Sequence, residues 1–291
     1  MKCKRTSFEL SKLCKLSYLF ILSLSLLLTA LAFMGCTNRA HEDAVASFEL
    51  ALAAAEAKNT EFESRIDEAQ ALLDSDDAPF DENTSVALES LIAEAKEALG
   101  AGTTIPAMPD DTADILAVTQ SLNELDYSAY ENMLAERSQS LKDSIALKQQ
   151  ITNPNEAFII ERLQGIESIS GITAATEAQD PNGQLNKQGS YTAAIFFLCD
   201  LVDQDSVVRP EDFEDEILDG GTDGGGSIEV FRTIEDAQQR YTVLDTFTGT
   251  PFSPGSQYVI GTIVIRTSKL LTASQQTELT EQIRDAFLEV R

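Results

Sequence analysis

The sequence predicts an α+β protein, with an N-terminal helical bundle followed by a C-terminal four-stranded sheet whose helices pack mainly on one face. Three observations carry this. Residues 42–150 are rich in Ala, Leu, Glu and Gln with little β-branching, a composition that favours helices. Apolar positions there recur in steps of three and four. From residue 153 onward, β-branched and aromatic runs of strand length alternate with short amphipathic stretches.

The elements follow in order. Lys2, Lys4, Arg5, Lys12 and Lys15 against Glu9 precede an uncharged apolar run at 16–34. A basic start, an apolar run and a small residue make a secretion signal over 1–35. The run also reaches the lower length limit of a spanning helix, so a retained anchor is the other reading. In both cases Lys and Arg hold the start of the chain in the cytoplasm and the remainder is exported.

The first bundle helix carries Val45, Phe48, Leu52, Ala55, Asn59, Phe62, Ile66, Ala69 and Leu73, a heptad seam in which only Asn59 is polar. A break at 75–83 leads to a second helix with Leu88, Leu91, Ile92, Ala95 and Leu99 on one face, closed by Gly100 and Gly102. A Pro-containing connector at 103–111 precedes a third stretch, 112–125, with Ile115, Leu116, Leu122 and Leu125. Ser128 and Glu131 form a capping box opening a fourth, with Met133, Leu134, Leu141 and Ile145. The domain over 42–150 is a three- or four-helix bundle, depending on whether the last two stretches run on as one bent helix.

The second domain, 153–291, opens with Asn153 as N-cap, Pro154 at the first helical position and a short helix to Gln164, stopped by Gly165. Four strands are expected at 166–176, 191–202, 226–232 and 257–266. "AIFFLC" within the second is continuously apolar, as in a central strand covered on both faces. Thr233 caps a helix over 233–247, and Thr272 with Gln275 caps a last helix with Leu279, Ile283, Phe287 and Val290 inward.

Three resemblances add to this reading. "FMGC", 33–36, resembles the lipobox of bacterial lipoproteins, with Phe33 and Met34 where that family favours Leu and a small residue. The resemblance implies cleavage between Gly35 and Cys36, a diacylglyceryl group on the Cys36 thiol, and a lipidated N-terminus at 36–41. Two acyl chains would tether the protein stably to the outer face of the plasma membrane. "RIDEAQALLDSDDAPFDENTSVALESLIAEAKEAL" (65–99) and "TADILAVTQSLNELDYSAYENMLAERSQSLKDSI" (112–145) resemble FIVAR and related helical modules of bacterial surface proteins of the extracellular-matrix-binding kind. "DPNGQLNKQGSYTA" (180–193), "GGGSIEVFRTIEDAQQRYTVL" (224–244) and "YVIGTIVIRTSKLLTASQQ" (258–276) resemble an uncharacterised family of secreted or lipid-anchored actinobacterial proteins, which implies location and fold but no reaction.

Composition narrows the function classes. The formal charge is −27, and residues 1–35 carry a net +4, so the exported remainder carries −31. Such a surface repels phosphate backbones and argues against a nucleic-acid partner. Cys199 is the one cysteine after Cys36, so no internal disulfide is available there, and at the end of an apolar run it reads as a packed thiol. His41 is the single histidine, which leaves no catalytic triad and no zinc site of the usual ligands. Two loops are candidates for calcium: Asp180 and Asn182 in "DPNGQLN", and Asp219 and Asp223 in "DGGTDGGG". The first lacks a bidentate Glu at the twelfth position, where Tyr191 stands, and both also read as plain turns. Residues 203–223, with nine acids and one base, read as a solvated excursion.

Three classes of function fit. A non-enzymatic cell-surface binding or adhesion lipoprotein for an envelope or host-matrix ligand is favoured. A structural partner of an envelope complex acting through the bundle is the alternative, and a hydrolase built on carboxylates is the third.

Overall fold

Small and large apolar residues alternating along one helical stripe favour close approach of a second helix, and the first helix uses its seam that way. In the computed structural model, backbone is described for residues 6–104, 106–211, 214–250 and 253–290, and side chains within those ranges from Arg39 onward. The chain forms two compact units. One comprises residues up to Asp74 with Leu88–Glu136, the other Ser75–Ala87 with Arg137 to the end.

In the first unit, α1 (Thr6–Leu73) buries Ala44, Phe48, Ala51 and Ala55 against Ile115 and Leu122 of α3 (Thr112–Asn123). Further along α1, Asn59 is buried, so the seam's polar position is a specific contact. The Tyr127 hydroxyl donates to Asn59 Oδ1 at 2.7 Å, and Asn59 Nδ2 donates to the Gly102 carbonyl at 3.3 Å. The Tyr127 ring stacks on Phe62, centroids 4.2 Å apart. The second helix, α2 (Asn83–Gly102), buries Leu88, Leu91, Ile92 and Ala95. A break after Asn123 separates α3 from α4 (Ser128–Gln150), so the two stretches are distinct helices. Ser128 is the first residue of α4 rather than its cap: the Asp126 carboxylate accepts its N–H at 2.9 Å and is held below its ordinary pKa by that bond. Leu116 and Met133, expected inward, are exposed.

The second unit holds a five-stranded antiparallel sheet in the order β1-β2-β3-β5-β4. The strands are β1 (Ile169–Ala174), β2 (Ala193–Cys199), β3 (Gly225–Val230), β4 (Ser256–Ile260) and β5 (Ile263–Thr267). The expected count of four fails at 257–266, which turns over between Ile260 and Ile263. Gly261, at φ 55°, makes that two-residue turn, which carries none of the usual Asn-Gly or Asp-Gly wording.

Helices cover both faces of the sheet, not mainly one. Ile195 and Phe197 of β2, Ile228 and Val230 of β3, and Ile263 and Ile265 of β5 join α5 (Glu156–Gln164) and α8 (Ala273–Leu288) in one core. Ala194, Phe196 and Val264, on the alternate positions, join Ala237 and Leu244 of α7 (Ile234–Asp245) and Leu218 of α6 (Glu216–Gly220) in another. Period-2 alternation that is apolar on both sides is the signature of a doubly covered strand, and β2 has it. Thr233 caps α7, and Thr272 with Gln275 forms the capping box of α8. Val290 lies beyond α8 and is exposed.

The entry to this unit differs from expectation. Asn155, not Asn153, caps α5, accepting the Phe158 N–H at 2.9 Å. Asn153 instead adopts φ 50°, because the β4–β5 turn captures the chain just before it. Thr262 donates its N–H to the Ile151 carbonyl at 3.1 Å, and Asn153 donates its N–H to Thr262 Oγ1 at 2.6 Å.

On β3, Glu229 is fully buried on the α7 face and meets two arginines. Arg240 of α7 grips it in bidentate fashion at 2.7 and 2.8 Å, and Arg266 of β5 donates at 2.9 Å. Ala194 lies opposite Glu229 in the sheet and leaves room for the carboxylate. Glu229→Gln would leave the buried Arg266 and the half-buried Arg240 sharing a neutral acceptor. It is expected to lower unfolding stability by about 3 kcal/mol, read as the urea midpoint of the second unit, with little change in the first.

Candidate functional site

The residues singled out in the sequence separate on folding. Gly35 and Cys36 lie outside the residues whose side chains are described, as does the apolar run before them. Among the described residues no helix is long and apolar enough to cross a membrane. His41 contacts Thr112 Oγ1 through Nδ1 at 3.0 Å, and Cys199 is buried in the sheet core.

Asp180 is a loop clamp. Its carboxylate accepts the N–H groups of Asn182 (3.1 Å), Gln184 (2.5 Å) and Leu185 (2.8 Å), and the Tyr191 hydroxyl donates to it at 2.7–2.8 Å. Tyr191, buried edge-on against Phe231, stands where a calcium loop would place its last ligand. It donates a proton to the acid instead of offering an anion to a metal. Burial pushes the Tyr191 phenol well up, and Asp180 adds to that. Burial opposes ionisation of Asp180, but the Tyr191 hydroxyl and three backbone N–H groups together hold it below the ordinary carboxylate value.

Asp219 likewise serves the backbone, accepting the N–H groups of Glu214 and Asp215 at 2.9 Å each. Asp180 and Asp219 line one cleft of about 540 Å³ with Pro181, Pro210, Glu214 and Asp215. Asn182 and Asp223 do not line it. Asp223 pairs with Lys269 at 2.8 Å. The four candidate calcium ligands are therefore not assembled, and among the described residues no group of three or more His, Cys, Asp or Glu is placed to hold a metal. The glycines of "DGGTDGGG" have a packing role. A Cβ on Gly225 or Gly226 would meet β2 backbone or the Phe197 ring.

The acidic stretch around this cleft is ordered by its one base. Arg209 donates to the Glu216 carbonyl (3.0 Å), the Gln204 carbonyl (3.0 Å) and Gln204 Oε1 (2.8 Å), while Val207 and Leu218 are buried beneath. Asp203, Asp205, Glu211, Glu214 and Glu216 are exposed, so the stretch is solvated along its acids and anchored at Val207 and Leu218.

A second cavity is the more informative one. Between α5 and α8 runs a groove of about 860 Å³. One stripe of α8 faces it, Gln275, Glu278, Gln282 and Asp285, spaced by whole turns. Ile166, Leu201, Leu279 and Ala286 supply its apolar part, and Glu167, Asp200 and Glu289 complete an acidic rim.

Arg162 of α5 also lines this groove, and it is only 4% exposed. Its guanidinium lies 4.9 Å from the Phe158 ring centre, and Nη2 donates to Gln150 Oε1 at 3.2 Å. Nε and Nη1 are buried without a hydrogen bond. Nη1 lies 3.5 Å from Glu289 Oε2, an ion pair lacking hydrogen-bond alignment. The buried Ser168 hydroxyl, in the same groove, has nothing beyond a weak contact with the Cys199 thiol. Buried donors are almost always satisfied, so open ones beside a cavity mark a place where an acceptor belongs.

Sequence reasoning passed over Arg162. The signal was present: it is the one charge on the stripe Phe158, Ile159, Arg162, Leu163, Ile166, at a position that helical spacing turns inward.

Compared with family models, curated proteins and solved structures, the chain matches none.

Asp180 yields a pH signature. Its native pKa is lowered, so its stabilisation is complete above the ordinary value of 3.8 and is lost as pH falls through the lower native value. Asp180→Asn is expected to cost about 2 kcal/mol at neutral pH. Urea unfolding of wild type and variant should differ by a constant amount above pH 3.8 and begin to converge only as pH falls below it.

Proposed function

We propose that this chain is a non-enzymatic binding lipoprotein on the outer face of the plasma membrane, and that the groove between α5 and α8 is its binding site. The observation that carries the binding reading is Arg162, a buried cation with two unsatisfied nitrogens on the wall of an open groove. A groove of that volume suits a small ligand or a peptide segment. The location rests on the basic start, the apolar run and "FMGC" at 33–36. The helical unit built on α1 and α3 then acts as a stalk or adhesive module. Diacylglyceryl attachment through Cys36 is the tether, and the ligand is an envelope or host-matrix component.

Two measurements test this on the full chain expressed in an exporting bacterium. The intact mass should correspond to a chain beginning at Cys36 plus a diacylglyceryl group, and Cys36→Ser should abolish that modification. A product that still begins at Met1 would remove the lipoprotein reading. Purified protein should also co-sediment with membrane-stripped envelope. Pairing Glu278→Gln with Asp285→Asn on the groove's exposed rim should cut that retention several-fold. Unchanged retention would move the binding surface away from the groove.

A further inference from the structure

We infer that the groove between α5 and α8 takes a short peptide that ends in a free carboxylate and carries basic side chains. This rests on the groove being the binding site. Arg162 is a planar, permanently charged donor, and such a group matches a carboxylate in shape as well as sign. Its Nε and Nη1 have no hydrogen-bond acceptor, although the side chain is held in place by Phe158 and by Gln150 Oε1.

Glu289 now occupies the carboxylate's place. It comes to 3.5 Å of Nη1 from an exposed position just past the end of α8, with its oxygen out of line for a hydrogen bond. The cation of this pair is buried and gains from an aligned acceptor, so a ligand carboxylate that bonds the guanidinium in line can replace Glu289. The Ser168 hydroxyl offers a further donor in the same groove.

Around Arg162 the rim is acidic. Glu167, Asp200 and Glu278 line the groove with Asp285, which Arg284 grips at 2.7 and 2.9 Å, and the whole chain carries a formal charge of −27. A simple anion would be repelled from such an entrance, and a simple cation would find Arg162 at the wall. A ligand with its carboxylate at Arg162 and its positive groups along Glu278 and Asp285 satisfies both. The α8 stripe from Gln275 to Asp285 runs over nearly three turns, about 15 Å, which fits an extended peptide better than a compact amino acid.

Calorimetric titration of the full chain in detergent with trilysine, and with trilysine amide, tests the inference. The amide has one more net positive charge, so non-specific attraction to an acidic protein favours the amide. The inference requires the reverse, with the free acid bound at least about tenfold more tightly, the worth of one charge-assisted hydrogen bond.

Glu289→Gln removes the competing carboxylate. It should tighten binding of the free acid and, by removing one rim acid, weaken the amide slightly. Glu278→Gln with Asp285→Asn, both exposed, should weaken the two peptides alike.

Arg162→Gln should erase the preference for the free acid. If that variant fails to fold, the Glu289→Gln result decides alone. Equal binding of the two peptides, tighter binding of the amide, or no binding of either would overturn the inference. Envelope co-sedimentation that persists in those cases, and still depends on the groove rim, would leave the groove as the site for a different ligand. Its loss together with peptide binding would end both readings.

Discussion

Neither face of the middle strand of the sheet meets water. Ile228 and Val230 point to the core shared with α5 and α8, while Ser227 and Glu229 point toward α7. Much of the second unit follows from that double coverage. A carboxylate at the Glu229 position has no solvent, so it needs partners of opposite charge. α7 and β5 each bring an arginine to it. The glycines at 225 and 226 follow from the same constraint, since β2 and the Phe197 ring take the space their side chains would need. Charge inside a sheet is costly unless paired, so Glu229 draws Arg240 of α7 and Arg266 of β5 to itself.

The other face has a different character. It is apolar at its centre, with Cys199 packed among Ile and Phe, and its one buried charge sits at the margin, where α5 and α8 diverge to leave the groove. Arg162 and Glu229 are both buried ions, but they are satisfied differently. Glu229 accepts three charge-assisted bonds from fixed groups, whereas Arg162 has one hydrogen bond, a ring contact and an unaligned ion pair. Glu229 itself is fully paired, although Arg266 Nε beside it has no hydrogen-bond partner. Arg162 leaves Nε and Nη1 without an acceptor, and it lines the groove.

Much of this was legible from local sequence. Thr233 and the Thr272/Gln275 box mark helix starts because capping is a local event, and the α1 seam marks buried positions because helical period is local too. What failed was decided at a distance. The hairpin at Gly261 hid inside an apolar run because its turn is flanked by the buried Ile260 and Ile263 and has no Asn or Asp to announce it. Asn153 lost its capping role to Asn155 because Thr262, far along the chain, takes its N–H. Asp180 looked like a metal ligand from its neighbours, but its partner is Tyr191, and only the fold shows which way that hydroxyl points. Arg162 was visible as a charge on an apolar stripe, yet its open nitrogens are a property of the packed structure.

The central claim is that Arg162 holds donors in reserve beside the groove. The most direct measurement is the Nε–H resonance of Arg162 in nitrogen-15 spectra of the chain from Cys36 onward, assigned with Arg162→Gln and followed as trilysine is added. The account predicts one slowly exchanging Nε–H signal that moves downfield as the free acid binds and stays still with the amide. A signal that exchanges as fast as an exposed arginine's, or that ignores both peptides, would contradict it.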